Sequence, residues 1–385
     1  MYVFFQSIFG QIIFSAYILW RGRQALPKKK SWQIPFVLIF ILEIVMFFTG
    51  ILFYEILPDK LFIPLMLICN TWYIASMYLT ISLLVLESLR LINKRWAWYP
   101  MYVNQYWEKT KIFLFFFLTF GIAGLMIFGY RNVRYPAVQH AYITIPKYTE
   151  GRDSLTIVIA GDWHIGEMIG KKSVQYAVEL CNQQNADMIV IPGDIIDYES
   201  RFAENQQIEE DLLKLKAPLG VYMVLGNHEY RANHIAKLRW IEKAGITLLV
   251  DSVYAPPDSS FYLIGRDDFT NRRTRASLHT LMQQVDTMKP VILIDHQPNR
   301  LNEIAMNQID LSLHGHTHNG QVWPLSLLLH LVYECPYGYY RKGNTLFFIT
   351  SGVGCAGPPY RIGTRSEIVV LHIRFDSSKK MSSSI

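Results

Sequence analysis

The chain has 385 residues, of which 51% are hydrophobic, and a mean hydropathy of +0.16. That is too apolar for an ordinary soluble enzyme of this length. The formal charge of +6 is concentrated in loops beside apolar runs and no DNA- or RNA-binding motif occurs, so it reads as membrane orientation, not as a nucleic-acid surface.

Residues 1–130 are dominated by apolar runs and predict a transmembrane region of four helices, at about 2–20, 34–54, 61–86 and 112–130. Each is long enough for roughly 30 Å of hydrocarbon. The first has no basic residue before it and no small-residue cleavage site, so it reads as a retained helix. Basic residues crowd the first loop (Arg21, Arg23, Lys28, Lys29, Lys30) and the third (Arg90, Lys94, Arg95, Lys109, Lys111), while the second has only Lys60. The positive-inside rule then makes loops one and three cytoplasmic. It predicts a multi-pass protein of the inner or plasma membrane with its C-terminal domain outside the cytoplasm, although Arg131 and Arg134 count against that orientation. Glu43 is an acid well inside a span. Such a residue is a functional candidate by default, but without a basic partner in the other spans a protonated or bundle-facing role is favoured over an ion relay. The third loop is aromatic (Trp96, Trp98, Tyr99, Tyr102, Tyr106, Trp107), which suits a membrane interface.

A linker is expected at 131–150, a globular domain at 151–375 and a disordered tail at 376–385. Within the domain, short β-branched runs end in polar clusters. "LTIVIA" runs into "GDWH", "DMIVI" into "PGDIID", "GVYMVL" into "GNHEY", "PVILI" into "DHQP", and "IDLSL" into "HGHTHNGQ". Helix-like stretches separate them, at about 172–184, 204–216, 235–244, 276–287 and 299–306. Further strands are expected at 247–250, 262–264, 346–350 and 368–373. Alternation of this kind predicts an α/β layered fold, whose ligands collect at the carboxyl ends of the strands. Singly, each cluster has a plain structural explanation, such as a helix cap or a tight turn. Together they require five strand ends to deliver Asp, Asn or His in series, which packing does not explain.

Four cysteines, Cys69, Cys181, Cys335 and Cys355, show no C-x-x-C spacing, so no structural zinc cluster is indicated. A Cys335–Cys355 disulfide is conceivable outside the cytoplasm; buried free thiols are the plainer alternative.

The run D-x-H, G-D-x-x-D, G-N-H-E, a lone His after a strand, and G-H-x-H, in order from Asp162 to His318, resembles the calcineurin-like metallophosphoesterase superfamily. The stretch after it is similar to that family's membrane-anchored bacterial branch with a G-H-T-H-x-G-Q signature. The resemblance implies a sandwich of two β-sheets flanked by helices. It implies one metal held by Asp162, His164, Asp194 and His318, and a second held by Asp194, Asn227, His296 and His316, with Asp194 bridging. His228 would stabilise the transition state and protonate the leaving oxygen, and Asp197 would orient it. A donor set of carboxylate, amide and imidazole without thiolate suits two divalent ions such as Mn, Fe or Zn. Such a pair clamps the attacking and leaving oxygens and lowers the pKa of bound water. His314 is extra to the pattern and reads as buried or supporting. Trp163 and Asn319 depart from the family pattern and are expected to reshape the substrate mouth. Arg361 and Arg365 are candidates for substrate phosphate, with structural salt bridges as the alternative.

The expected function is hydrolysis of a phosphodiester or pyrophosphate bond. An apolar stretch, Leu325 to Val332, follows the histidine cluster. It could be a core helix, or it could rest on the bilayer. The second reading, with the anchor, favours an amphipathic or lipid-linked substrate. The alternatives are a UDP-2,3-diacylglucosamine pyrophosphatase of lipid A synthesis, which needs a cytoplasmic site, and a non-catalytic membrane receptor retaining the fold. The expected partners are the bilayer and a phosphorylated small-molecule or lipid substrate, with no nucleic acid.

Overall fold

A computed structural model describes residues 2–376, with side chains from residue 10 onward. It divides into two compact units, Met1–Tyr130 and Arg131–Ile385. The expected tail, 376–385, lies outside the described residues apart from Asp376.

The first unit is built from α1 (Tyr2–Ala25), α2 (Lys30–Leu52), α3 (Asp59–Trp96), α4 (Met101–Gln105) and α5, which runs from Trp107 to Arg134. Among the described residues three helices, α2, α3 and α5, are long and apolar enough to cross a membrane. The count is three where the sequence predicts four. The first expected span lies in α1, a helix of 24 residues that carries Gln11, Ser15, Arg21 and Arg23. Glu43 on α2 faces the bundle: it is 6% exposed, and its carboxylate accepts a hydrogen bond from the Gln11 amide. α3 runs past Leu86 to Trp96 and closes on Ala97 in the left-handed conformation.

The second unit runs β1 (Ala137–Ile145), β2 (Ser154–Ile159), α6 (Lys171–Gln183), β3 (Met188–Pro192), α7 (Arg201–Asn205), α8 (Glu209–Leu212), β4 (Val221–Val224) and α9 (His234–Lys243). It continues with β5 (Thr247–Leu248), β6 (Ser252–Tyr254), β7 (Tyr262–Gly265), α10 (Leu278–Met282), β8 (Val291–Ile294) and α11 (Leu301–Ala305). It closes with β9 (Leu311–His314), α12 (Leu325–Leu329), β10 (Gly338–Lys342), β11 (Thr345–Ile349) and β12 (Glu367–Phe375). The helix expected over 204–216 is broken into α7 and α8 at Gln207, whose φ of 52° is left-handed.

The strands form two six-stranded sheets, ordered β1-β12-β2-β3-β4-β5 and β10-β11-β9-β8-β7-β6. β2 to β5 run parallel in the first, and β11, β9, β8 and β7 run parallel in the second. Parallel strands covered on both faces read as continuous apolar runs. β2 shows why. Leu155, Ile157 and Ile159 point into the core between the sheets, while Val158 joins the outer core under α6 and α9. α10 and α11 cover the other face of the second sheet.

Residues 131–150 are not a linker. β1 lies there and pairs along its whole length with β12, from Ala137↔Glu367 to Ile145↔Phe375. Its residues are half-exposed or exposed up to the buried Ile145, as suits an edge strand, and this weak apolar alternation hid it in the sequence. Trp163 does not shape a substrate mouth either. It is fully buried in the outer core and donates its indole N–H to the Ala160 carbonyl at 2.6 Å. Cys335 and Cys355 are buried free thiols, as are Cys69 and Cys181.

Candidate metal centre

The parallel strands of both sheets end at one place. β2 delivers Asp162 and His164, β3 delivers Asp194 and Asp197, β4 delivers Asn227 and His228, β8 delivers His296, and β9 delivers His316 and His318. The loops run side by side: the His164 amide donates to the Asp194 carbonyl at 3.1 Å. Asp162, His164, Asp194, His316 and His318 all have left-handed φ, between 48° and 72°. Non-glycine residues rarely adopt it, at a cost of order 1–3 kcal/mol each. Two glycines let the carboxylates close in. A Cβ on Gly226 would lie 2.2 Å from Asp194 Oδ1, and one on Gly315 would lie 2.2 Å from Asp162 Oδ2.

Three overlapping groups bring ligand atoms within 4.8 Å of one another: Asp162, His164 and His318; His164, Asp194 and His228; and Asp194, His296 and His316. The Nε2 atoms of His164 and His318 face each other at 3.0 Å. Asp194 Oδ2 lies 3.6 Å from His164 Nε2 and 3.1 Å from His296 Nε2. Asn227 Oδ1 is 3.2 Å from His296 Nε2. The second donor of two rings is already committed, which turns Nε2 inward. His164 Nδ1 is 3.1 Å from Asp197 Oδ1, and His296 Nδ1 is 2.7 Å from the Pro192 carbonyl. Partners of this kind fix ring orientation at metal sites. Asp162 Oδ2 is buried with no hydrogen-bond partner, which is costly for a carboxylate oxygen unless a cation meets it. The donor set therefore fits divalent metal.

Burial raises Asp162 to about 7, and the nearby Asp194 adds to this. Burial would also raise Asp194, but the imidazoles of His296 and His228 outweigh it and hold that carboxyl well below its ordinary value. Burial drives His316 down to about 4 and holds His318 well below the imidazole range. A neutral imidazole is the form that binds metal.

His228 sits beside this group with its ring edge-on to His164, centroids 4.5 Å apart. Its Nδ1 is 2.9 Å from Asp197 Oδ1, so a single carboxylate orients both His164 and His228. Burial works against protonation of His228, but Asp194 and Asp197 together raise its pKa above the usual imidazole value. His314 stands apart from the three groups. It is fully buried, its Nε2 lies 2.7 Å from Ser312 Oγ, and burial lowers it to about 3.

Arg361, expected as a candidate for substrate phosphate, is not placed for that role. Arg361 is fully buried. It donates to the carbonyls of His318 at 3.1 Å and Gly354 at 2.9 Å and reaches the Ser351 carbonyl. It is the internal brace of the His318 loop. Arg365 is exposed and directs its guanidinium to the Tyr135 carbonyl at 3.3 Å.

Sequence reasoning missed three residues. Glu229 is fully buried and accepts backbone N–H bonds from Gly226 at 2.8 Å, Asp194 at 2.9 Å and Ile195 at 2.9 Å, tying the β3 and β4 loops together. Lys237 is buried and donates to the His228 carbonyl at 2.6 Å. Arg231 places Nη1 2.7 Å from His228 Nε2. Glu229 was visible as the acid closing "GNHE"; nothing local marks the other two.

A donor cluster of this make-up at the strand ends of a two-sheet α/β sandwich defines a metallophosphoesterase-type site. The calcineurin-like phosphoesterase family model matches residues 155–320. A metallophosphoesterase of Aquifex aeolicus is 30% identical over 253 residues, covering 62% of this chain and 95% of that protein. A Danio rerio protein described as a transmembrane protein with metallophosphoesterase domain is 33% identical, over 64% of this chain and 59% of its own length. A Helicobacter pylori metallophosphoesterase is 31% identical, over 63% and 65%. The chain thus spans just under two thirds of the length of the latter two relatives. It belongs to the calcineurin-like phosphoesterase family.

Proposed function

We propose that this protein is a membrane-anchored hydrolase with a binuclear centre of Mn, Fe or Zn, cutting a phosphodiester or pyrophosphate bond in an amphipathic or lipid-linked substrate. One observation carries the reading: ligand atoms from both sheets converge within 4.8 Å of one another beside the His228–Asp197 pair, 2.9 Å apart. Asp162, His164, Asp194 and His318 would hold one ion, and Asp194, Asn227, His296 and His316 the other. Bound metal would supply Lewis acidity and a hydroxide nucleophile at neutral pH. Asp197 keeps the His228 ring turned so that Nε2 points away from it. The raised pKa of His228 keeps a proton available for the leaving oxygen. Arg231, which donates to His228 Nε2 at 2.7 Å here, would have to release that nitrogen before it could carry the proton, and from beside it could share the negative charge that develops on the leaving oxygen.

The membrane reading draws on three apolar helices and on the outward apolar faces of α2 and α5. Leu38, Ile41, Leu42, Val45, Phe117 and Phe120 are each more than half exposed, and a bilayer would cover such faces. The Danio rerio relative's description as a transmembrane protein agrees. The basic loops favour an extracytoplasmic catalytic domain.

The substrate reading draws on α12. Trp323, Leu325, Leu327, Leu328, Leu331 and Val332 are all exposed, so this stretch is not a core helix. Tyr333, next in the chain, has its ring 6.1 Å from that of His316. An apolar projection beside the site suits contact with a lipid surface.

The test is a substrate screen with metal-loaded protein in detergent. Hydrolysis of phospholipids or lipid-linked phosphates is expected to exceed that of water-soluble diesters. Good turnover of soluble diesters with none of lipids would remove the substrate reading. A reporter fused after Ile385 is expected outside the cytoplasm; a cytoplasmic signal would overturn the orientation.

A further inference from the structure

The loop after β7, "RDDFTNRRTR" from Arg266 to Arg275, is rich in arginine. Two of these arginines are spent internally. Arg275 pairs with buried Asp295, and Arg266 pairs with Glu303 at 2.9 Å. Arg272 and Arg273 are exposed and make no ion pair among the described residues. The guanidinium of Arg272 lies over the Phe269 ring at 5.9 Å, and that of Arg300 lies over the same ring at 5.2 Å.

Two adjoining cavities open at these residues. One of about 370 Å³ is lined by Phe269, Arg272, Arg273 and Gln297. The other, of about 290 Å³, is lined by Phe269, Arg272, Arg300 and Glu303 among others, and Arg300 Nη1 lies 3.6 Å from Glu303 Oε2. Gln297, which lines the first cavity, directly follows the candidate ligand His296 and donates to Asp268 at 3.0 Å. Tyr230 donates to Asp267, and Asn271 Nδ2 donates to Asp267 Oδ2 at 2.8 Å. This ties the loop to the segment carrying His228 and Arg231.

The loop is also held still. Asp251 accepts the Asp267 amide at 3.0 Å and the Ala276 amide at 2.7 Å, and Asp268 accepts the Thr270 amide at 2.7 Å. The acids are used on the inner side of the loop and unpaired cations are left on the outer side. Guanidinium forks match carboxylate and phosphate oxygens.

We infer that Arg272, Arg273 and Arg300, around Phe269, form a second anion subsite beside the metal cluster. It takes a phosphate or carboxylate of the substrate other than the group being cut. The inference rests on the function proposed above and narrows its substrate class to molecules with at least two anionic groups.

The probes are ω-phosphonocarboxylates of graded chain length, set against alkylphosphonates of equal length, titrated by calorimetry into the full-length, metal-loaded protein. The phosphonate reports the metal centre and the carboxylate reports the subsite. The best-matched phosphonocarboxylate is expected to bind roughly tenfold tighter than its alkyl counterpart, the value of one charge-assisted contact. In R272Q/R273Q this ratio falls close to one, and R272K/R273K recovers part of it. R341Q, which removes an exposed charge on β10, keeps the full ratio. A ratio near one for the native protein at every chain length overturns the subsite, as does a ratio that survives R272Q/R273Q. If alkylphosphonates fail to bind the native protein at all, the metal-centre reading is what fails, and the subsite falls with it.

Discussion

Asp194 Oδ2 lies 3.1 Å from His296 Nε2, although one residue follows a strand of the first sheet and the other a strand of the second. The carboxylate is the joint between the two halves of the site. Its other oxygen accepts the His228 amide at 2.8 Å, which leaves Oδ2 free for the cluster. Asp194→Asn keeps the shape and removes the charge. It should lower retained metal and reduce hydrolysis by at least about 100-fold. Metal analysis of gel-filtered protein, run beside an activity assay, checks this; full metal content with full activity would rule out a bridging role.

His228 is expected to act on the substrate more than on the metal. His228→Ala should lose roughly 100- to 10,000-fold in activity while metal content stays near that of the native protein. Equal activity in the two proteins would refute the proposed mechanism.

Gly315 has no room for a side chain. A Cβ there would stand 2.2 Å from Asp162 Oδ2 and 3.2 Å from the Pro192 carbonyl, and overpacking of this kind costs about 1–3 kcal/mol. Gly315→Ala should keep the native circular dichroism spectrum yet lose metal, because Asp162 must turn away. Native metal affinity in this variant would contradict the geometry.

Arg361 and Arg365 should behave oppositely. Arg361→Met strips donors from several buried carbonyls, each costing about 1–3 kcal/mol when left unpaired, and should lower the thermal unfolding midpoint markedly. Arg365→Ala alters an exposed site and should shift stability by no more than about 0.5 kcal/mol. Thermal scans of the two variants decide. A stable Arg361→Met protein with weakened substrate binding would restore the arginine to the substrate.

His372 on β12 supplies a pH test outside the metal site. Its ring stacks on Tyr142 at 4.6 Å and on His140 at 5.4 Å, both on β1. Partial burial, with the neighbouring His140 adding to it, lowers its pKa below the ordinary 6.5. The unfolded chain then takes up the proton first. Stability should be complete above about pH 6.5 and decline as pH falls from there toward the folded value. Melting curves between neutral and mildly acid pH should show this slope, reduced in His372→Phe. An equal slope in the variant would assign the effect elsewhere.

Much of the molecule was legible in the sequence, for local reasons. Parallel strands buried on both faces must be continuous apolar runs, and so β2, β3, β4, β8 and β9 stood out. The residues at their ends are polar, and so Asp162, His164, Asp194, Asn227, His228, His296, His316 and His318 stand out in the sequence. β1 was not legible because partly exposed edge residues carry little apolar period, so the sequence predicts a linker there. Trp163 looked like a mouth residue because it sits between two ligand candidates, yet the backbone turn at Asp162 and His164 sends it inward to Ala160.

By itself, then, the sequence determined which residues could carry the chemistry and that the first 130 residues hold helices apolar enough for a bilayer, though it counted four where three qualify, since both are properties of residue type and spacing. Only the tertiary structure decided their partners. It set Asp197 between His164 and His228, turned Arg361 into the brace of the His318 loop, placed Arg231 on His228, and brought Arg272 and Arg300 onto one ring. The physical reason is that Asp197, Arg361 and Arg300 reach loops far apart in the chain, while Arg231 and Arg272 reach only three residues back and owe their contacts to how those loops are folded. Their energies depend on how two sheets pack, and no local pattern of charge or hydropathy encodes that.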